Sequence, residues 1–263
     1  MMRNLFVFHE IVTPSPSGLC RFYGEVFGWR FQPMDDQGAL FAILSDRPGD
    51  APVGLLTQTS AEPGFAQATL FYVQVEDIDS FLPRVVALGG EIVMPATSSL
   101  LGEWQYRLAV ISDPQQNQVG VMEPVTRDGQ VVPVPVSPFR FNEIVTPDPV
   151  SLADEFYALL FDWQIQETGP SDAPFLTIST GQSLEPAGGI AQTADKAGFN
   201  HFASFYIEVD DVKAALGQVE ASGGQTVMPA VPVPLGETMV TIAMFTDPQQ
   251  NQLGLISRRG GKS

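Results

Sequence analysis

The sequence predicts an α+β protein of two tandem homologous domains, each built from two similar strand-rich units with one helix apiece. Two observations carry this: the chain repeats itself, and within each half the same order of strand and helix patterns occurs twice. Gly89-Gly90…Val93-Met94-Pro95-Ala96 returns 134 residues later as Gly223-Gly224…Val227-Met228-Pro229-Ala230. Asp113-Pro114-Gln115-Gln116-Asn117-Gln118 returns intact as Asp247-Pro248-Gln249-Gln250-Asn251-Gln252. Glu10-Ile11-Val12-Thr13-Pro14 returns at an offset of 133, as Glu143-Ile144-Val145-Thr146-Pro147, so one residue is inserted before Phe156. An offset shared over a whole half signals homologous domains, not composition bias.

The first unit opens with a strand, Leu5–Thr13, rich in Phe and Val with every-other-residue contrast. Ser15 suits a helix N-cap and Pro16 the first helical position. Leu19, Phe22, Tyr23 and Val26 then give one apolar face, and Gly28 ends the helix. Short strands follow at Leu40–Leu44 and Val53–Gln58. The second unit repeats the order. Thr69–Val75 is a strand, and a helix runs from Glu76-Asp77 to the Gly89-Gly90 pair, which suits a left-handed C-terminal cap. Strands follow at Glu91–Met94, Trp104–Ser112 and Gln118–Met122. Pro83 in this helix matches Gly217 in the second half; two poor helix formers at one position suggest a shared kink or a close packing contact.

The domains are expected at residues 1–124 and 139–258. Residues 125–138, with Val131-Val132-Pro133-Val134-Pro135-Val136, read as an extended, semi-rigid linker, and 259–263 as a frayed tail. The net charge is −17, and both halves share the acidic excess. Such a surface repels phosphate backbones and disfavours a nucleic-acid partner. No apolar run approaches the roughly 20 residues of a membrane span. One cysteine, Cys20, rules out an intrachain disulfide, and the expected setting is cytoplasmic.

Three motifs occur in order, twice. Phe22-Tyr23-Gly24-Glu25-Val26-Phe27-Gly28-Trp29 pairs with Phe156-Tyr157-Ala158-Leu159-Leu160-Phe161-Asp162-Trp163. Val75-Glu76-Asp77-Ile78 pairs with Val209-Asp210-Asp211-Val212. The Asp-Pro-Gln-Gln-Asn turns precede both last strands. Together they resemble the vicinal oxygen chelate superfamily (glyoxalase I, bleomycin-resistance proteins, extradiol dioxygenases), and within it tandem two-domain glyoxalase-like proteins. The resemblance implies four βαβββ modules whose strands curl into half-open barrels around a cavity. It also implies a divalent metal held by His, Glu or Gln on inward strand positions.

Carried onto this chain, those ligand positions are Phe8, Leu70 and Gly120 in the first half and Phe141, Ser204 and Gly254 in the second. None supplies a family His or Glu, so no cofactor is expected; a divalent metal is the alternative, but its ligand positions are lost. The two histidines do not substitute. His9 neighbours a ligand position but points the other way on an alternating strand, and His201 sits at a strand entrance. Cys20, matched by Asp154, reads as structural.

Strand parity places Phe8, Glu10 and Val12, and their counterparts Phe141, Glu143 and Val145, on the ligand face. Tyr72 and Gln74, matched by Tyr206 and Glu208, share it. Gln58 and Gln192 either line the same cavities or end strands. An apolar, aromatic cavity with a carboxylate suits a small ligand carrying a polar or cationic group. A Glu among Phe and Val has its ionised form disfavoured unless hydrogen-bonded, so it serves either as an anchor or as a structural acceptor. The expected function is metal-free binding of a small organic molecule by a monomer with an internal pseudo-dimer. A glyoxalase-type metal-dependent lyase or dioxygenase, and a protein-interaction module with vestigial cavities, are the alternatives.

Overall fold

The computed structural model describes residues 4–61, 66–170, 173–181, 185–193 and 202–258. Four βαβββ modules follow one another. The first comprises β1 (Phe6–Thr13), α1 (Pro16–Phe27), β2 (Phe31–Pro33), β3 (Leu40–Ile43) and β4 (Gly54–Gln58). The second comprises β5 (Ala68–Gln74), α2 (Ile78–Ala87), β6 (Glu91–Leu101), β7 (Trp104–Ser112) and β8 (Gln118–Met122). After two short strands, β9 (Thr126–Arg127) and β10 (Gln130–Val131), the third opens with β11 (Phe139–Thr146). Its helix is α3 (Pro149–Leu152), a π turn (Ala153–Tyr157) and α4 (Ala158–Leu160), followed by β12 (Gln164–Glu167), β13 (Phe175–Ser179) and β14 (Gly188–Gln192). The fourth comprises β15 (Phe202–Glu208), α5 (Val212–Ala221), β16 (Gln225–Leu235), β17 (Thr238–Thr246) and β18 (Gln252–Ser257).

Every module has the same ladder. Its first strand pairs in parallel with its last, which pairs antiparallel with the third, which pairs antiparallel with the second. The parallel pair requires a crossover, and the module helix belongs to it. The β2 and β12 strands completing the first and third modules are absent from the sequence reading. Phe31-Gln32-Pro33 is too short for a period-two pattern to register. β6 and β16 run well past the expected stop at Met94. The repeated Met-Pro-Ala falls at register shifts, where a strand tolerates proline.

The chain divides into two compact units. One holds Met1–Val7, Phe71–Pro133 and Phe141–Ala203, and so the second and third modules; the other holds Phe8–Leu70, Val134–Arg140 and Ser204–Ser263, and so the first and fourth. Each has its own core. In the unit of modules two and three, Phe71, Val73, Phe81 and Val85 pack with Leu152, Phe156, Phe161 and Trp163. In the unit of modules one and four, Leu19, Phe22, Tyr23 and Ile43 pack with Phe205, Val212, Leu216 and Phe245.

Local chemistry explains the helices. Asp77 and Asp211 cap α2 and α5, each accepting two backbone N–H bonds. Gly28 ends α1 in the left-handed conformation at φ 70°. Ser15 holds the N-cap place of α1 but makes no side-chain cap bond; its backbone N–H donates to Gln249 Oε1 at 2.7 Å. The one-residue insertion of the repeat is absorbed by the π turn. Both helical segments start at a proline, Pro16 and Pro149, and the extra residue lies between Leu152 and Phe156. The expected packing contact at Pro83 and Gly217 is not there. Both are exposed, and a Cβ on Gly217 would meet nothing within 4 Å.

The linker also departs from a plain extended segment. β9 and β10 form a hairpin around Asp128 and Gly129, both at positive φ, and β9 pairs with β7. Arg127 lies over the Trp104 ring at 4.6 Å and pairs with Glu103. The expected frayed tail, 259–263, lies outside the described residues.

Candidate functional site

Parity on the first strand of modules one and three divides side chains as alternation requires. Toward the helix, Ile11 joins the core, and His9 packs tilted against Phe139 at 4.3 Å and edge-on to Phe205 at 4.8 Å. His9 is thus a packed aromatic. On the other face Phe8 is buried and Glu10 is only 6% exposed. Glu10 accepts a short hydrogen bond from the Thr57 hydroxyl on β4. Sequence reasoning missed Thr57; its signal is the parallel register that sets Val12 opposite it. In the other unit Phe141 is buried and Glu143 is 9% exposed, with Ala191 at the place equivalent to Thr57.

The remaining family ligand positions are filled by other means. Tyr72 and Tyr206 are buried and stand in register with Gly120 and Gly254 on the parallel neighbour. A Cβ built on Gly120 would lie 2.3 Å from the Tyr72 ring, and one on Gly254 2.2 Å from the Tyr206 ring. The glycine exists because the tyrosine ring occupies the space of any side chain there. Leu70 is buried, and the Ser204 hydroxyl donates to the Gln252 carbonyl at 3.0 Å. Among the described residues, no three of His, Cys, Asp and Glu converge as a metal cluster.

One expectation needs correction, for Glu208, and the alternatives left open for Gln58 and Gln192 resolve to strand ends. Glu208 does not share the buried strand face of Tyr206. It ends β15, is exposed, and is ion-paired with Arg140 at 2.8 Å. Gln58 and Gln192 are also exposed. Their amides donate to the carbonyls of Pro14 and Pro147, tying each strand end to the chain entering the helix. Gln74 is buried. His201 lies outside the described residues. Cys20 is half-buried, and desolvation pushes its thiol up to about 11, against a nucleophilic role.

The Asp-Pro-Gln-Gln-Asn turns prove to be the most elaborate polar feature. Asp113 accepts from the Gln115 and Asn117 backbone N–H groups, from Asn117 Nδ2 at 2.7 Å and from the Tyr157 hydroxyl at 2.8 Å. Asp247 repeats this with Gln249, Asn251 and the Tyr23 hydroxyl at 2.9 Å. Gln115 and Gln249 clasp Asp148 and Ser15 through both backbone groups. Each turn therefore pins the helix start of its partner module. Burial pushes both aspartates upward, and burial next to a carboxylate raises both tyrosines well above the usual phenol value.

The sequence matches the model of the Glyoxalase/Bleomycin resistance protein/Dioxygenase superfamily over residues 6–121 and 147–255. It is 25% identical over 250 residues to proteins of Mycobacterium bovis and Mycobacterium tuberculosis named provisionally as glyoxylase CFP32, covering 91% of this chain and 89% of theirs. Among solved structures, it resembles a Mn(II)-bound glyoxalase from Novosphingobium aromaticivorans (TM-score 0.69, 10% identity, 98% of this chain and 83% of that one). It also resembles the 2,3-dioxygenase LapB from Pseudomonas sp. KL28 (TM-score 0.62, 13% identity, 97% and 91%). At these identities the structures establish the fold alone, the α+β tandem arrangement expected from the repeat. With both regions of the repeat matched, the chain belongs to the glyoxalase/bleomycin resistance protein/dioxygenase superfamily.

Proposed function

We propose that this chain binds a small organic molecule without a divalent metal, using Glu10 and Glu143 to hold a polar or cationic group of the ligand. The packing of Tyr72 on Gly120 and Tyr206 on Gly254 carries the reading. A ligating side chain at either glycine would have to displace a buried ring. The other two positions offer Phe8 and Leu70, or Phe141 and Ser204, which do not make a divalent donor set. What remains on the strand face is a buried carboxylate among apolar side chains, held at Glu10 by the Thr57 hydroxyl, and this mixture suits a small ligand with a polar or cationic group.

Metal-dependent lyase or dioxygenase chemistry is the second reading, favoured by the names of the relatives and by the Mn(II)-bound glyoxalase of the same fold. Elemental analysis of protein produced without an affinity tag separates the two. The metal-free reading expects Mn, Fe, Ni and Zn far below one equivalent, and no rise in Tm when each is added. One equivalent of any of them, retained through gel filtration, overturns it.

A further inference from the structure

The repeat supplies an internal control for a cavity outside the strand faces. In the unit of modules two and three, the wedge between α4 and α2 is plugged. Phe81 stacks on Phe161 with centroids 5.4 Å apart. Arg84 lies against Phe81 and donates to the carbonyls of Leu159 and Leu160. Trp163 is 6% exposed and donates its indole N–H to the Asn4 carbonyl at 2.7 Å.

In the unit of modules one and four, Phe27 and Trp29 occupy the places of Phe161 and Trp163, but the plug is missing. Ala215 stands for Phe81 and Gln218 for Arg84. A cavity of about 440 Å³ results, within the roughly 300–1,000 Å³ range of small-molecule sites. Phe27, Trp29, Ile207 and Ala215 give it an apolar wall, and both aromatics are only half-buried. Asp46, Asp210 and Asp211 contribute carboxylates; Glu208 adds a fourth, already paired with Arg140. Among the described residues no lysine or arginine lines it, although Arg140 and Arg258 both sit beside Glu208. The positive end of α5 does not invert this field, because the Asp211 side chain caps it.

We propose that this cleft is a ligand site for an organic ammonium ion with an aromatic body, the body lying against Trp29 and Phe27 and the cation facing the aspartates. Aromatic rings pack favourably on one another, and a rim of like charge concentrates a cation from solution. The site is independent of Glu10 and Glu143 and stands or falls apart from the strand-face reading.

Benzyltrimethylammonium is the probe and phenylmethanesulfonate its counterpart of opposite charge, both titrated by calorimetry and by saturation-transfer NMR. Wild-type protein should bind the ammonium saturably at one site, more weakly in high salt, and not the sulfonate. Ala215→Phe with Gln218→Arg transplants the plug of the other unit and should weaken binding by roughly tenfold or more. Asp46→Asn with Asp210→Asn, both at exposed positions, should weaken it several-fold and decides the matter if the plugged variant does not fold. Loss of this binding in Glu10→Gln or Glu143→Gln would place the probe on the strand faces and overturn the proposal. Absence of saturable binding, equal binding of the sulfonate, or undiminished binding by the folded plugged variant or by the double asparagine variant overturns the proposal.

Discussion

The ring of Tyr72 lies directly over the Cα of Gly120, so close that an added Cβ would sit 2.3 Å from the ring, and Tyr206 stands in the same relation to Gly254. Gly120→Ala and Gly254→Ala are therefore expected to destabilise the protein by about 1–3 kcal/mol each, the range for overpacking a filled core. Urea denaturation measures this. Adding Tyr72→Leu to Gly120→Ala should recover part of the loss, because residues in contact do not act additively. Additive losses would show that the ring does not fill that space.

Gly217 gives the opposite sign. It lies inside α5, exposed, with nothing for a Cβ to strike. Gly217→Ala should stabilise by up to about 1 kcal/mol through helix propensity and the unfolded chain. A loss of midpoint in the same urea titration would mean that the position has a packing role after all.

The Tyr157–Asp113 and Tyr23–Asp247 bonds predict a pH-dependent mutational effect. Burial is the larger influence and pushes both aspartates up from the usual carboxylate range; the hydrogen bonds pull them back in part. With the folded value above the unfolded one, the folded chain binds the proton more tightly. These sites add stability as pH falls toward the ordinary carboxylate pKa and lose it as pH rises through the folded one. Tyr157→Phe and Tyr23→Phe delete a donor to the ionised form. Each should cost about 1–3 kcal/mol at neutral pH, with the penalty shrinking as pH falls through the raised aspartate pKa. A penalty flat from neutral pH down to the ordinary carboxylate pKa would contradict this.

Glu10→Gln and Glu143→Gln keep shape and remove charge. If each carboxylate holds the ligand, each change should weaken binding at its own site by roughly 1.5–3 kcal/mol, the range for hydrogen bonds to charged groups, with little change in Tm. Thr57 gives Glu10 a hydroxyl donor, whereas Ala191 stands at the equivalent place beside Glu143, so the two sites should differ in affinity. Unchanged binding with a lowered Tm would assign both residues to the fold.

The repeat made much of the fold legible, because each half tests the other. Strand parity separated Phe8 and Glu10 from His9 and Ile11, since alternation is a property of one strand alone. The cap at Asp77 and the stop at Gly28 were equally local. What was not legible depends on neighbours distant in the chain. Glu208 follows the parity of Gln74 but meets Arg140, where the first half has Val7. Gln58 sits at an exposed strand end, where its amide donates to the Pro14 carbonyl. The Tyr–Asp ties were visible only as repeated motifs, because nothing in the sequence says that the turn after β7 meets the helix of another module. The open cleft beside Trp29 was likewise invisible until Ala215 could be set against Phe81.

The π turn offers the last test. Leu19 and Phe22 in α1 correspond to Leu152 and Phe156, with two intervening residues in the first case and three in the second. Both helices keep the same buried side chains, Leu-Phe-Tyr, facing their cores. The extra residue must leave the i→i−4 ladder without rotating that face, and one turn of π-helix does this. Ala153 is buried, whereas Asp154 and Glu155 are exposed, so deleting Glu155 removes no core contact. The shortened chain should fold, hold Tyr157 on Asp113, and convert the segment into a continuous α-helix like α1. Its stability should equal or exceed that of the parent, since a regular ladder replaces a distorted one. Thermal unfolding measures the stability, and amide hydrogen exchange across residues 149–161 reports the ladder. A large loss of Tm would show instead that the π turn is needed to place Phe156 and Tyr157.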